Sequence, residues 1–247
     1  MKNIVLAAGY ATRMYPLTEN FPKPLLRIGK SSILDRMLKD VDAQPCIDGH
    51  IIVCNHKFHA IFEEWAAEAA REGRYSKPLR IVDDGSTDND NRIGAVGDLI
   101  LALQTCHIED DILVAAADNL LDFSLSSLID YFQQVGTSVI FYYHEPDAQR
   151  IRKTGVALLD SEGRVLSLEE KPEQPKSDCA VPPFYAYTKA DLPHILRAIE
   201  NGCRYDAPGN LARHISQVSV LHAVEMPGKR IDIGSLDNYL ALKDADI

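Results

Sequence analysis

Short apolar runs rich in β-branched residues alternate with segments of helical periodicity in the first part of the chain. The apolar runs lie at residues 3–6, 49–54, 79–82, 111–115 and 137–143. Apolar side chains recur at helical spacing in the segments between them, at residues 31–41, 57–71, 94–103 and 125–132. Strands that alternate with helices predict an α/β fold, with a Rossmann-like, mostly parallel sheet flanked by helices.

The pattern changes in the second part of the chain. Residues 155–159 and 165–169 flank the turn Asp160-Ser-Glu-Gly163, which predicts a hairpin. Further strands are predicted at 181–187 and 218–224, and helices at 190–200, 207–217 and 236–244. No change of composition marks a linker. We therefore expect a single domain, 1–247, with a small mixed β substrate lobe.

Charge and cysteine usage exclude several classes of protein. The formal net charge of −10 repels nucleic-acid phosphate, so we expect no nucleic-acid partner. The five cysteines are scattered without a C-x-x-C pair, which is typical of free thiols in a reducing cytosol. The first residues are strand-like, and no apolar run reaches the roughly 18 residues of a membrane span. We expect a cytoplasmic protein with no membrane contact.

The loop after the first strand carries the strongest candidate chemistry. Ligands of open α/β sheets bind at the carboxyl ends of the strands. Ala7, Ala8 and Gly9 allow the backbone to approach a ligand, so its N–H groups can hold a phosphate or read a base. Arg13 offers a planar fork for phosphate oxygens, and Lys23 a point charge between two stiffening prolines. The layout suits a polyphosphate, although a plain turn with two solvated cations has the same spacing.

Two other patterns are rejected. Gly29-Lys30-Ser31 matches the end of a P-loop, but Pro24 occupies the position of the first P-loop glycine. His56 and His59 have a metal-like spacing, yet the residues around them look structural, and we expect no zinc site there.

A long motif identifies the opening segment. Leu6-Ala-Ala-Gly9 is followed by Thr12-Arg13-Met14, Pro16-Leu17-Thr18 and Pro22-Lys23-Pro24-Leu25. This order resembles the signature of the sugar-1-phosphate nucleotidyltransferases, the family of glucose-1-phosphate thymidylyl- and uridylyltransferases. The resemblance implies nucleotide binding by the backbone of Leu6, Ala7, Ala8 and Gly9. It also implies catalytic roles for Arg13 and Lys23.

Two aspartates match the metal-binding positions of that family. Asp118, in Ala115-Ala-Ala-Asp118-Asn119, resembles the family's metal aspartate, and Asp232, before Gly234, resembles the second one. The resemblance implies that both share Mg²⁺ with phosphate oxygens, the ligands that this hard cation prefers. The alternative interpretation makes both aspartates turn or cap residues.

The remaining candidates would contact the two substrates. Gly94 resembles the glycine that opens a helix near the nucleotide, and Asn89, in the polar segment before it, is our candidate for reading the base. Gly155 matches the glycine beside the sugar. Glu170 and Lys171 resemble the segment that binds the sugar hydroxyls and the phosphate, although a surface ion pair has the same sequence. Residues 1–145 would then bind mainly the nucleotide, and 146–247 mainly the sugar phosphate.

The chain departs from the family pattern at three positions. Ala11 replaces a glycine, Pro183 replaces a glycine after the sugar-phosphate segment, and Arg230 stands where a tryptophan is common. Proline removes an N–H and adds bulk near the sugar site, so Pro183 favours an acceptor other than plain glucose 1-phosphate.

The resemblance implies Mg²⁺-dependent transfer of a nucleotidyl group from an NTP, with dTTP or UTP favoured, to a sugar 1-phosphate. We expect a single-function enzyme that is a monomer or a homodimer. One alternative is a cytidylyltransferase acting on phosphocholine or another non-sugar phosphate. Another is a non-catalytic regulatory subunit that binds sugar nucleotides, but retention of Arg13, Lys23, Asp118 and Asp232 argues against it.

Overall fold

The computed structural model describes residues 1–244, which form two compact units. The first unit combines Met1–Arg92, Ala116–Ser124 and the segment that begins at Gly228. The second unit combines Ile93–Ala115 with Leu125–Pro227. None of the helices in residues 1–244 has the length and apolar character needed to cross a bilayer.

Strands and helices alternate along the chain. The strands are β1 (Lys2–Leu6), β2 (Arg27–Ile28), β3 (Ser31–Ser32), β4 (His50–Cys54), β5 (Leu79–Asp83), β6 (Ile112–Ala116), β7 (Asn119–Leu121), β8 (Ser138–His144), β9 (Gly155–Leu159), β10 (Val165–Glu170), β11 (Cys179–Val181), β12 (Phe184–Tyr187), β13 (Leu221–Glu225) and β14 (Arg230–Asp232). The α-helices are α1 (Ile33–Asp42), α2 (His59–Glu72), α3 (Gly94–Thr105), α4 (Ser126–Val135), α5 (Ala148–Ile151), α6 (Leu192–Leu196), α7 (Pro208–Val218) and α8 (Leu236–Leu242). The α/β class predicted from the alternation is confirmed.

Parallel strands build the sheet of the first unit. β1 pairs with β4, and β4 pairs with β5. All five residues of β4 are buried, which explains why the four residues after His50 are apolar. The predicted serine cap of α1 is present, because the Asp35 N–H donates to Ser32 Oγ at 3.0 Å.

The second unit contains a mixed sheet in the order β10-β9-β11-β8-β12-β6. These neighbours pair antiparallel, whereas β13 runs parallel to β8. The predicted hairpin is formed by β9 and β10, with Glu170 opposite Gly155.

Three predicted boundaries in the second unit were wrong. The strand predicted at 181–187 is interrupted, because Pro182 and Pro183 lie between β11 and β12 and have no N–H for a ladder. The helix predicted at 190–200 is reduced to a 3₁₀ turn and the short α6. The strand predicted from residue 218 begins at Leu221, because α7 continues to Val218.

A hydrophobic cluster in the first unit fixes the segments that carry the candidate residues. It consists of Met14, Leu26, Ile28, Ile33, Leu120 and Ile233. Met14 follows Arg13, Leu120 lies in β7 after Asp118, and Ile233 follows Asp232. Packing of these apolar side chains therefore holds together three segments that are far apart in the sequence.

Asp42, at the end of α1, ties that helix to β4 and to the segment just before β5. Its carboxylate accepts hydrogen bonds from the Ser76 and Lys77 N–H groups and from His50 Nε2. Burial acts to raise the pKa of Asp42, but the hydrogen bonds from Ser76, His50 and Lys77 outweigh it and lower the pKa to about 2. Burial also lowers the pKa of His50, so its ring is neutral and its Nδ1 accepts from Asn3 Nδ2 at 3.0 Å.

Candidate active site

The loop at the end of β1 is held by its backbone. The Ala7 N–H donates to the Val53 carbonyl at 2.8 Å, and the Leu6 carbonyl accepts from Ala117 at 3.2 Å. The buried Asn55 amide donates to the Ala8 carbonyl at 3.0 Å. Gly9 is exposed, and a Cβ there would meet nothing within 4 Å. The loop therefore leaves open space at Gly9, while Leu6 and Ala7 anchor it to the sheet.

Ala11 takes a left-handed backbone conformation, with φ 47° and ψ 42°. Its carbonyl accepts from Thr18 Oγ1 at 2.8 Å and from the Met14 N–H at 2.9 Å. This geometry suits glycine, which explains the glycine of the family pattern at this position. The alanine methyl adds backbone strain here, but the fold retains the turn.

Arg13 projects from the short 3₁₀ turn Thr12–Met14. Its neighbour Met14 is buried in the hydrophobic cluster, whereas Arg13 is exposed. Within residues 1–244 its guanidinium has no hydrogen-bond or ion-pair partner. The five N–H donors of Arg13 are therefore available to an anionic ligand.

Lys23 and Asp118 form an ion pair, although 95 residues separate them in sequence. Lys23 is only 7% exposed, and its Nζ lies 3.0 Å from Asp118 Oδ2. The side chain of Asp118 is 41% exposed, so its carboxylate remains accessible. The other oxygen, Oδ1, accepts from Asn119 Nδ2 at 2.7 Å. Both carboxylate oxygens of Asp118 are thereby oriented by the protein.

Asp232 lies on the strand paired with the one that follows Asp118. β14 runs antiparallel to β7, with Asp232 opposite Asn119. The Ile233 N–H donates to the Asp118 carbonyl at 3.2 Å, and Arg230 Nη1 donates to Asn119 Oδ1 at 2.6 Å. The structure thus brings the two predicted metal aspartates to neighbouring backbone positions.

Asn119 and Arg230 are positioning residues that the sequence did not reveal. Asn119 is 4% exposed and connects the Arg230 guanidinium to the Asp118 carboxylate. The arginine fixes the orientation of the amide, because only its oxygen can accept from a guanidinium. The feature of the sequence that could have indicated this role is that Arg230 stands where the family commonly has a tryptophan.

The polar segment that contains Asn89 is bonded to itself. The Asn91 side chain accepts from the Thr87 N–H, and the Asn91 N–H donates to Asp88 Oδ1. Asn89 Oδ1 accepts from Arg92 Nη1 at 3.4 Å and the residue is exposed. The structure does not bring Asn89 into contact with Arg13, Lys23, Asp118 or Asp232 within the described hydrogen bonds.

Gly94 belongs to the second unit, where the fold itself requires a glycine. Its φ is +78°, and a Cβ would lie 2.5 Å from the Tyr205 carbonyl oxygen. The same carbonyl accepts from the Val96 N–H at 3.0 Å. Gly94 therefore permits the start of α3 to approach Tyr205 closely, whatever its role toward a ligand.

Gly155, Glu170 and Lys171 meet in the second unit. Glu170 is opposite Gly155 in the β9–β10 hairpin, and its side chain is only 15% exposed. Lys171 is exposed, has a left-handed φ of 49°, and places Nζ 3.8 Å from Glu170 Oε1. Burial raises the pKa of Glu170, although the nearby Lys171 acts to lower it. The three residues predicted for the sugar phosphate are thus adjacent.

Two glycines flank the Glu170 carboxylate. A Cβ on Gly155 would lie 3.2 Å from Glu170 Oε2, and a Cβ on Gly209 would overlap that oxygen and lie 3.1 Å from Cδ. Gly209 lies in the first turn of α7 and was missed by the sequence reasoning, because its contact with Glu170 joins distant segments. Thr154 contributes through its carbonyl, which accepts from the Lys171 N–H at 3.1 Å.

The family model described as "Nucleotidyl transferase" matches residues 2–247. The chain belongs to the nucleotidyl transferase family. The resemblance to sugar-1-phosphate nucleotidyltransferases that the motifs indicated is confirmed, and so is the enzyme class.

Two relatives show the level of sequence similarity within the family. The chain is 25% identical over 239 residues to the UTP–glucose-1-phosphate uridylyltransferase AglF of Haloferax volcanii, covering 95% of this chain and 91% of that protein. It is 28% identical over 210 residues to a glucose-1-phosphate thymidylyltransferase of Streptomyces antibioticus, covering 83% of this chain. The match spans only 54% of the latter enzyme.

A crystal structure of UDP-glucose pyrophosphorylase complexed with UDP-glucose shares the fold. The TM-score is 0.79 at 20% sequence identity, and the match covers 98% of this chain and 97% of the other. At this level of identity the likeness establishes the fold of this nucleotidyl transferase family member.

Proposed function

We propose that this chain transfers a nucleotidyl group from UTP or dTTP to a sugar 1-phosphate and releases pyrophosphate. The observation that carries the proposal is the arrangement of Lys23, Asp118 and Asp232 in the first unit. A buried ammonium orients one accessible carboxylate, and a second carboxylate lies on the paired strand. Family membership supports the reaction class, and the names of the two relatives support the nucleotides and the sugar phosphate.

The reaction exchanges one phosphoanhydride bond for another. A phosphate oxygen of the sugar 1-phosphate attacks the α-phosphorus of the triphosphate, and the bond to the departing pyrophosphate breaks. The attacking oxygen is already anionic, so the reaction requires no strong general base. The protein contributes by positioning two anions and by neutralising charge.

Arg13 and Lys23 would provide the cations on the nucleotide side. Arg13 is exposed and has its donors free within residues 1–244, so it would stabilise the departing pyrophosphate. Lys23 is held between Pro22 and Pro24, and it would hold Asp118 in place while reducing repulsion between the substrates.

Asp118 and Asp232 would hold the Mg²⁺. The donor set fits, because Asp118, just before β7, and Asp232, on the paired strand β14, offer the oxygen ligands of a hard cation and leave positions for phosphate oxygens. When bound, Mg²⁺ supplies charge neutralisation at the α-phosphate. Asn119 and Lys23 keep the Asp118 carboxylate oriented for that contact.

Glu170 and Lys171 would bind the sugar phosphate in the second unit. Glu170 would accept hydrogen bonds from sugar hydroxyls, and Gly155 would leave the space for the sugar to pass the backbone. Lys171 is exposed and would bind the phosphate. The chain would work as one nucleotidyltransferase domain, with 1–145 mainly serving the nucleotide and 146–247 mainly the sugar phosphate.

We place the reaction in the cytoplasm, in keeping with the five free cysteines, and expect a monomer or a homodimer. Light scattering of the purified protein distinguishes these two assemblies.

The test of the reaction is pyrophosphate release with Mg²⁺ across UTP, dTTP, CTP, ATP and GTP. Each nucleotide is paired with several sugar 1-phosphates and with phosphocholine. We expect release with UTP or dTTP and one sugar 1-phosphate. Release only with CTP and phosphocholine, or no release by a protein that binds nucleotide, contradicts the proposal.

Asp118→Asn tests the assignment of the metal site. We expect this variant to lose most turnover while it keeps its fold, because the amide is a poor ligand for Mg²⁺. Asp237→Asn is the matched control, since Asp237 is an exposed aspartate at the start of α8, and it should retain full activity. A near-normal rate for Asp118→Asn would refute the assignment.

A further inference from the structure

Three side chains with different donor atoms meet in the second unit, where β8 ends and β11 begins. His144 is the last residue of β8, and Cys179, the first residue of β11, is directly opposite it in the antiparallel pair. Asp178 immediately precedes Cys179. The sequence gives no hint of this group, because His144 and Cys179 are 35 positions apart and follow no metal-ligand spacing.

The donor atoms of this group lie close together. One ligand atom from each of the three side chains lies within 4.8 Å of the others. His144 Nδ1 is 3.0 Å from Asp178 Oδ2, and Cys179 Sγ is 3.9 Å from Asp178 Oδ1. In the described part of the chain, this is the group of at least three such side chains that is compact enough to hold a metal ion.

These separations agree with tetrahedral coordination. Bond lengths of about 2.0–2.3 Å to nitrogen, oxygen and sulfur place two ligands of a tetrahedral zinc ion about 3.3–3.6 Å apart. The 3.0 Å contact of His144 is with Asp178 Oδ2, and the 3.9 Å contact of Cys179 is with Asp178 Oδ1, so the two distances join different oxygens and lie on either side of this range. A rotation of the exposed Asp178 carboxylate would be needed to offer one oxygen to a cation shared with both partners.

The backbone around the group is already ordered. The Glu145 N–H donates to the Asp178 carbonyl at 2.9 Å, and the Cys179 N–H donates to Ser177 Oγ at 3.2 Å. The Tyr142 ring packs edge-on against the His144 ring, with 5.6 Å between the centroids. Two of the ligands are thus presented from neighbouring strands at a fixed register, with little backbone freedom to lose on binding a metal.

We propose that His144, Asp178 and Cys179 form a binding site for a zinc-like divalent cation, with water as the fourth ligand. Sulfur and imidazole favour zinc over the hard cation Mg²⁺, so this site is chemically distinct from the pair Asp118 and Asp232. The thiol of Cys179 releases its proton to the solvent on binding, and no electron is transferred.

A nucleophilic role for Cys179 is less consistent with the geometry. The imidazole of His144 pairs with Asp178, and the sulfur contacts Asp178 as well, so no Cys–His hydrogen bond is seen among the described contacts.

A cation at this site would stabilise the strand that leads to the proposed sugar-phosphate residues. β11 runs only from Cys179 to Val181, and Val181 pairs with Gly155. A cation shared by β8 and β11 would hold this three-residue strand more firmly in the sheet. We therefore expect the cation to stabilise the second unit and expect the site to bind it whether or not the proposed transfer reaction occurs.

The test uses cobalt as a spectroscopic probe of the chelator-treated full-length protein. Tetrahedral Co²⁺ bound to a thiolate gives a sulfur-to-metal charge-transfer band and intense visible bands. We expect these bands in the wild type and expect Zn²⁺ to abolish them by displacement. Absence of the bands at saturating Co²⁺ would overturn the proposal.

Two cysteine variants show which thiol binds. Cys179→Ser should lose the charge-transfer band, and Cys203→Ser, which alters another partly exposed thiol of the same unit, should keep it. Zn²⁺ should raise the unfolding temperature of the wild type and of Cys203→Ser only. A band that persists in Cys179→Ser would refute the site.

The exposed histidine provides a variant that does not disturb the interior. His144→Gln should weaken Co²⁺ binding at least about tenfold while retaining the thiolate band at higher concentration. Unchanged affinity would exclude His144 as a ligand and contradict the proposed donor set.

Discussion

Gly209→Ala should separate the stability of the protein from its binding of the sugar phosphate. Gly209 lies in the first turn of α7, where alanine is a better helix former than glycine by up to about 1 kcal/mol. The added methyl, however, would overlap Glu170 Oε2 and lie 3.1 Å from Cδ. The substitution therefore favours the helix and displaces the carboxylate.

The displacement can be estimated from the contacts. Ordinary van der Waals contact begins at 3.4 Å, so the overlapping oxygen must move by about 1 Å or more. Gly155 flanks the same oxygen without a Cβ, so it leaves space into which the displaced carboxylate can move. A misplacement of about 1 Å can reduce catalysis by about 100-fold, equivalent to about 2.7 kcal/mol.

The assay is steady-state pyrophosphate release with the sugar 1-phosphate varied at saturating nucleotide. We expect kcat/KM for the sugar phosphate to fall about 10- to 100-fold, whereas KM for the nucleotide should stay unchanged. Thermal unfolding should show equal or slightly higher stability than the wild type.

A double-mutant cycle with Glu170→Ala provides the control. If Gly209 acts only through the Glu170 carboxylate, adding Gly209→Ala to Glu170→Ala should cause no further loss. A folded Gly209→Ala variant with wild-type kinetics for the sugar phosphate would refute our reasoning about Glu170. A further loss in the double mutant would show that Gly209 acts by another route.

Three other predictions concern the first unit. Ala11→Gly should stabilise the protein by up to about 1 kcal/mol in denaturant unfolding, because it removes the backbone strain of an alanine in the left-handed conformation. A loss of stability would contradict this prediction. Asn119→Ala should raise the Mg²⁺ concentration for half-maximal rate about tenfold, because Asp118 loses an orienting hydrogen bond; an unchanged requirement would contradict it. The folded-state pKa of Asp42, about 2, lies below its unfolded value, so the ionised carboxylate stabilises the folded protein. Its contribution to the free energy of unfolding, up to about 2 kcal/mol, is present above about pH 4 and is lost as the pH falls toward 2. Asp42→Asn should flatten this part of the curve of unfolding free energy against pH, and an unaltered curve would contradict the assignment.

The long elements and the family could be predicted from the sequence alone. β1, β4, β8 and α1 bury enough consecutive or periodic apolar residues to be recognised without a partner. The order of the motifs from Leu6 to Asp232 identified the nucleotidyl transferases, because each motif is a local stretch of chain.

The contacts that orient the candidate residues depended on the tertiary structure. β7 and β14 have three residues each, too few to show a period, and they pair across about 110 positions of the chain. The sequence therefore suggested Asp118 and Asp232 as partners but did not reveal Asn119 and Arg230 between them.

What the sequence determined by itself was the local chemistry: which side chains carry charge, where the backbone turns, and which runs must be buried. Only the tertiary structure decided that Gly209 faces Glu170 and that His144 stands opposite Cys179. Strand register and helix placement decide both contacts. Both are set by the packing of many apolar side chains at once, so no single stretch of sequence specifies them.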